Sequence, residues 1–270
     1  MSDSVELRSQ GDPTLPTLIY LPGLHGDWTL VGSFRRAVEG RVRFVELAYP
    51  RSVTWTLEEY AREILAALAA QGLTRGWLLA ESFGSQVAWA LLREIYRQAA
   101  GEPVRFTAAG LILAGGFVRH PVIAGVKVAG RFCATAPPWS LRLFLWAYPK
   151  YARFRHRRAP ETLHDIAEFV TRRQTPGDRE AMTHRLNLIA AADFRELVRT
   201  IRLPVFSLTG FWDPIVPWWP VRAWLRRECP GWRGDCLLFG ADHTVLATQP
   251  DASARQVLAW MAQRPALGVD

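Results

Sequence analysis

Six apolar runs of strand length punctuate this chain, each stopped by a turn residue, with helical patterns filling most of the gaps. The runs are residues 17–23 (TLIYLPG), 42–50 (VRFVELAYP), 76–82 (GWLLAES), 109–117 (AGLILAGGF), 203–210 (LPVFSLTG) and 235–240 (DCLLFG). Helical spacing of apolar residues marks 33–38, 56–70, 83–98, 221–227 and 251–263. Continuous apolar runs suit strands buried on both faces, and their alternation with helices predicts βαβ units. The expectation is an α/β fold: a mostly parallel central sheet flanked by helices. In such a sheet, ligands gather beyond the carboxyl ends of the strands, so the residues after each run are where chemistry is to be sought.

One gap breaks the alternation. The 85 residues 118–202 separate the fourth run from the fifth, and within them 161–173 and 178–201 read as helices. This predicts a core domain made of 1–117 and 201–270, with an inserted helical cap, 118–200, over the carboxyl edge of the sheet. Early in that insert the chain is aromatic, basic and interrupted by prolines (GVKVAGRFCATAPPWSLRLFLWAYPKYARFRHRRAP).

Charge is concentrated there. Between residues 118 and 174 stand Arg119, Lys127, Arg131, Arg142, Lys150, Arg153, Arg155, Arg157, Arg158, Arg172 and Arg173 against only Glu161, Asp165 and Glu168. That excess equals the net charge of the whole chain, +8. Three readings fit a basic segment of this kind: a solvated face, a contact with an anionic membrane surface, or a dock for an acidic acyl carrier or coenzyme. Nucleic acid is not an expected partner, because no recognition motif accompanies the charge.

Composition bounds the rest. With 49% hydrophobic residues the chain is not a disordered one. No apolar run reaches the ~18 residues of a membrane span. The opening MSDSVELRSQGD has neither the basic start nor the apolar middle of a signal peptide, so a cytoplasmic location is expected. Cys133, Cys229 and Cys236 are an odd number without metal-site spacing, which fits reduced thiols. No metal-binding cluster, phosphate loop or dinucleotide fingerprint is present in the sequence, so no metal or cofactor is expected.

The third run ends in Ala80-Glu81-Ser82-Phe83-Gly84. A small residue two before and two after a serine, between a strand and a helix, is the pattern of a nucleophile elbow, where strand and helix nearly touch. The string alone equally suits a serine that caps a helix. An acyl-transfer serine also needs a base, a carboxylate to orient it, and donors for the oxyanion. Asp213 follows the fifth run in a Trp-Asp-Pro turn, and His243 follows the sixth. Each has a plainer reading, since Asp before Pro forms turns and a lone His after a strand is commonly a surface or core residue. Together they stand at successive strand ends in the order Ser, Asp, His, with no competing serine elbow. Asp242 adjoins His243 and is badly placed to accept its ring proton. Glu81 and His25 are assigned packing or supporting roles. Oxyanion donors are expected from the backbone N–H groups of Leu24, in the loop after the first run, and Phe83.

At these motifs the chain resembles the serine esterases of the α/β-hydrolase superfamily. LPGLHG is similar to the family's oxyanion loop, AESFG to its elbow, TGFWDPIVP to its acid loop and GADHTVLATQP to its histidine loop. Ala80 stands where the family more commonly has Gly, and Pro22 where it has His. The insert resembles no particular subfamily. The resemblance implies hydrolysis of small-molecule carboxylic esters through an acyl-enzyme, with Ser82, Asp213 and His243 as the triad. The alternatives are an acyltransferase or thioesterase with the same triad, or a non-catalytic ligand-binding relative. Trp28, Phe117, Phe211, Trp212, Ile215 and Val245 are expected near the strand ends as an apolar substrate pocket.

Overall fold

The computed structural model describes residues 4–99, 106–137, 146, 150, 163–165, 167–168 and 175–263. All six expected strands form, as β2 (Thr17–Leu21), β3 (Arg43–Ala48), β4 (Arg75–Glu81), β5 (Thr107–Ala114), β6 (Val205–Gly210) and β7 (Trp232–Leu238). A seventh, β1 (Glu6–Gln10), pairs antiparallel with β3 at one edge. β1 has no apolar run to mark it in the sequence; as an edge strand it is half exposed, and Arg8 is held by an ion pair to Glu46 across the ladder (2.7 Å).

The sheet order is β1-β3-β2-β4-β5-β6-β7, with every pair except β1–β3 parallel. From β2 the chain steps outward to β3 and then crosses back to β4 on the other side of β2. The connections therefore reverse between β2 and β4, which leaves a crevice at their carboxyl ends. The loop after β2 and the turn after β4 meet there.

The described helices are α1 (Gly32–Ala37), α2 (Leu57–Ala70), α3 (Gly84–Ala99), α4 (Ile123–Thr135), α5 (Pro176–Ala191), α6 (Arg195–Val198), α7 (Trp218–Glu228), α8 (Val245–Thr248) and α9 (Pro250–Met261). They cover both faces of the sheet. Leu78 and Ala80 of β4 pack with Tyr60 and Ile64 of α2 and Val87 and Leu91 of α3. Trp77 and Leu79, pointing the other way, pack with Phe34 of α1 and Val257 and Trp260 of α9. Burial on both faces explains why these strands read as unbroken apolar runs instead of alternating ones. Thr56 starts α2 with a reciprocal capping box to Glu59, and Thr175 starts α5 in the same way with Asp178.

Between β5 and β6, α4 packs on α5. Sequence spacing did not reveal α4, whose Gly125, Gly130, Val126 and Val128 are weak helix formers. The single helix expected over 178–201 is two. Its break comes at Ala192, in an extended conformation, and Asp193, whose carboxylate accepts from the Arg195 backbone N–H (3.1 Å) and opens α6. Of the helix expected over 161–173, residues 163–165 and 167–168 are described and helical, and the others lie outside the described residues. The same holds for Arg142, Arg153, Arg155, Arg157, Arg158, Arg172 and Arg173 of the basic segment. All three cysteines are free. No described helix is long and apolar enough to cross a membrane.

Candidate active site

β4 ends in a turn that the backbone would not adopt without cause. Ser82 has φ 49°, the one positive value at a described residue other than glycine. Such a conformation costs on the order of 1–3 kcal/mol and persists only where its surroundings enforce it. Here they do: the Ser82 N–H donates to Ala114 O (3.0 Å), and Ser85 Oγ donates to Ser82 O (2.6 Å) while accepting from the Phe117 N–H (3.1 Å). α3 begins so close to β2 that a Cβ on Gly84 would overlap the Leu21 carbonyl oxygen. Gly84→Ala is therefore expected to destabilise the protein by roughly 3 kcal/mol, measured as a shift in the urea unfolding midpoint. An unchanged midpoint would contradict this close approach.

Ser82 Oγ lies 2.9 Å from His243 Nε2, and His243 Nδ1 lies 2.8 Å from Asp213 Oδ2. The other Asp213 oxygen accepts from the backbone N–H groups of Ile215 (2.8 Å) and Val216 (2.9 Å). The carboxylate is thus fixed on both oxygens, and its side chain is fully buried. Asp242 points elsewhere, accepting from the backbone and hydroxyl of Thr244 (3.0 Å each), so it shapes the loop that carries His243.

Burial is the largest single influence on the His243 ring and disfavours its charged form. The Asp213 hydrogen bond and charge, with smaller help from Glu81 and Asp242, together outweigh it and hold the pKa above the ordinary 6.5. A base must be neutral to accept a proton, so activity that needs His243 is lost as pH falls through this raised value. The acid limb of kcat/KM is accordingly expected to have its midpoint above 6.5, and Asp213→Asn to move it downward by leaving burial unopposed. An acid limb below 6.5, or one that ignores Asp213→Asn, would contradict this coupling.

The loop after β2 comes alongside. Its turn closes with the Gly26 N–H donating to Gly23 O (3.0 Å), and neither the Leu24 nor the Phe83 N–H finds a carbonyl acceptor among the described residues. The Phe83 ring turns away into a cluster with Tyr49 and Tyr60. Arg185 of α5 holds this loop in a way the sequence did not reveal. It is almost fully buried and donates to Leu24 O (3.0 Å), Pro50 O (3.0 Å) and Tyr60 Oη (3.4 Å), with no carboxylate partner among the described residues. Gly26, at φ 82°, leaves the space that the guanidinium fills. Arg185→Met would leave two buried carbonyls without donors and is expected to cost about 3 kcal/mol, read as a lower urea midpoint.

A cavity of about 420 Å³ opens above Ser82 and His243. Phe117 and Ile215 line it, together with Gly23 and Leu24. Trp28, Phe211, Trp212 and Val245 do not, and their expected place in the pocket is corrected. Trp28 lies beneath the Arg8 guanidinium and packs against the core, and Val245 is buried in that core. Phe211 stacks on Phe239 (5.0 Å between ring centres), and Trp212 projects into solvent. Around the tight turn at Asp213 adjacent side chains diverge, and it is Pro214 to Val216 that turn back over the site.

Further walls come from residues that sequence spacing did not single out, among them Val126 of α4, Leu186 and Ile189 of α5, and His120. His120 is buried and accepts the Val122 N–H at Nδ1 (3.1 Å), so its neutral ring carries the proton on Nε2. Burial, with the nearby His243, lowers its pKa. Glu81 also borders the cavity and accepts the Tyr20 hydroxyl proton in a buried hydrogen bond.

No protein-family model matches the sequence, and neither does any curated protein. Solved structures do match. A thermophilic esterase from Thermogutta terrifontis is 22% identical with a TM-score of 0.71, covering 95% of this chain and 92% of its own. An enol-lactonase from Burkholderia xenovorans LB400 is 18% identical with a TM-score of 0.73, covering 96% of each chain. A hydrolase from Pseudomonas aeruginosa PA01 is 17% identical with a TM-score of 0.73, covering 96% of this chain and 94% of its own. With its sheet order, its strained serine turn after β4 and these structural neighbours, the chain has the α/β-hydrolase fold.

Proposed function

We propose that this protein is a serine hydrolase that cleaves carboxylic esters through a covalent acyl-enzyme. The observation that carries the reading is the unbroken hydrogen-bonded chain from Ser82 through His243 to Asp213, set against a largely apolar cavity. Ser82 Oγ attacks the ester carbonyl as His243 Nε2 takes its proton, and His243 then delivers that proton to the leaving alcohol. Water, deprotonated by the same histidine, attacks the acyl carbon and releases the acid and Ser82. Asp213 keeps His243 Nδ1 protonated and stabilises the imidazolium formed in each half-reaction. The Leu24 and Phe83 N–H groups receive the oxyanion, with Arg185 holding the Leu24 loop in place. The names of structural neighbours, esterase and enol-lactonase among them, support an ester substrate.

In this reading the segment between β5 and β6 acts as a cap, since its Val126, Leu186 and Ile189 meet the acyl or alcohol group. A panel of aryl esters of increasing chain length, run with and without alcohol acceptors, tests the proposal. Release of free acid from apolar esters is the expected result. Acyl transfer to the alcohol in preference to water would assign the chain to the transferases, and no turnover on any ester would overturn the reading.

A further inference from the structure

The chain leaves the mouth of the cavity through Phe211 to Trp219 with large aromatic rings in solvent. Trp212 is 65% exposed, Trp219 61% and Phe239 69%. They form one patch: Phe211 contacts both Trp212 and Phe239 with ring centres 5.0 Å apart and Trp218 at 6.1 Å, and Trp218 meets Trp219 at 5.9 Å. Single exposed aromatic residues are ordinary, but a contiguous group of this size marks an interaction surface.

The patch continues into an arginine row. Trp218, Trp219, Arg222, Ala223, Arg226 and Arg227 recur at helical spacing and line one shallow groove along α7. No acidic side chain lies among these groove residues. Arg222 and Arg227 have ion pairs at the groove's edge, to Asp235 (3.0 Å) and Glu228 (2.7 Å), and Arg226 has none among the described residues.

We propose that this face docks on an anionic phospholipid bilayer. Trp212, Trp219 and Phe239 enter the boundary between headgroups and acyl chains, while the α7 arginines meet lipid phosphates. Tryptophan suits that boundary because its ring is apolar and its N–H polar, and arginine matches phosphate with paired donors. A soluble acidic protein would use the arginines but leave the aromatic rings without a partner. A two-fold dimer would cover the rings but set one arginine row against its copy. A bilayer satisfies both, with Arg222, Arg226 and Arg227 as the charges that the face itself offers to it.

Docking also orients the site. Ile215, between Trp212 and Trp218 in the chain, is exposed and at the same time lines the cavity, so the mouth turns toward the lipid. The substrate would then be an ester whose apolar chain resides in the membrane; this part rests on the proposed esterase activity, whereas docking itself does not.

The test is co-sedimentation at low salt with vesicles of phosphatidylcholine and phosphatidylglycerol, beside vesicles of phosphatidylcholine alone. The wild type is expected to bind only the former, and Ser82→Ala to bind equally well whatever its effect on turnover. Trp219→Ala/Phe239→Ala is expected to weaken binding about tenfold. Arg226→Gln/Arg227→Gln should weaken it on the order of thirtyfold and flatten its salt dependence. Both double variants should hydrolyse a short soluble ester like the wild type, which shows that they are folded, yet lose hydrolysis of an ester carried in the vesicles. Absence of wild-type binding, equal binding to neutral vesicles, or binding untouched by either double variant would overturn the proposal. A wild-type dimer that the aromatic variant converts to monomers would assign the face to a second copy instead.

Discussion

Replacing Ser82 with alanine is expected to remove nearly all ester turnover, a loss on the order of a millionfold, while the protein stays folded. His243→Ala should cost nearly as much, because a serine hydroxyl without its base is a poor nucleophile at neutral pH. The double variant should be little worse than either single one, since the two residues act as a unit. Initial rates on a soluble aryl ester, with circular dichroism to check folding, measure all three. If Ser82 served only to start α3, its loss would cost about 1 kcal/mol of stability and leave turnover near normal.

Asp213→Asn is expected to lower kcat about ten-thousandfold, because an amide facing Nδ1 favours the wrong histidine tautomer. The structure adds a second expectation. Asp213 also anchors the Ile215 and Val216 N–H groups through its other oxygen, which an asparagine can continue to do with its own carbonyl oxygen. The loop should therefore keep its shape, and the loss should fall on kcat more than on KM. Asp242→Asn, by contrast, should leave turnover within a few-fold of wild type, because Asp242 bonds Thr244 and not His243. Equal losses from the two substitutions would point to general disruption of the loops.

Short-range patterns carried much of this structure into view. β2 to β6 are apolar runs because they are largely buried between two helical layers, whereas β7 is a half-exposed edge strand, and the placement of Ser82, Asp213 and His243 at the ends of β4, β6 and β7 follows from turns local to each strand. Features set by residues distant in the chain were not legible. Arg185 meets the carbonyl of Leu24 across 161 positions, and nothing in either local sequence announces the bond. His120 reaches the cavity from a loop of its own, and α4 forms in spite of its glycines because it packs on α5. The pocket aromatics went astray for a related reason: proximity to Asp213 along the chain does not decide side-chain direction around a tight turn. Trp212 faces solvent next to Asp213, whose side chain is fully buried. β1 needed its partner β3 to become a strand at all.

In the proposed mechanism Ser82 Oγ carries the acyl group. The most direct test of that role is to react the protein with one equivalent of an alkyl fluorophosphonate, follow residual turnover, and locate the adduct by peptide mass spectrometry. One adduct per chain on Ser82 is expected, with turnover falling in proportion to labelling and no labelling of the Ser82→Ala or His243→Ala proteins. Stoichiometric labelling at another residue, or full turnover by a chain whose Ser82 is blocked, would contradict it.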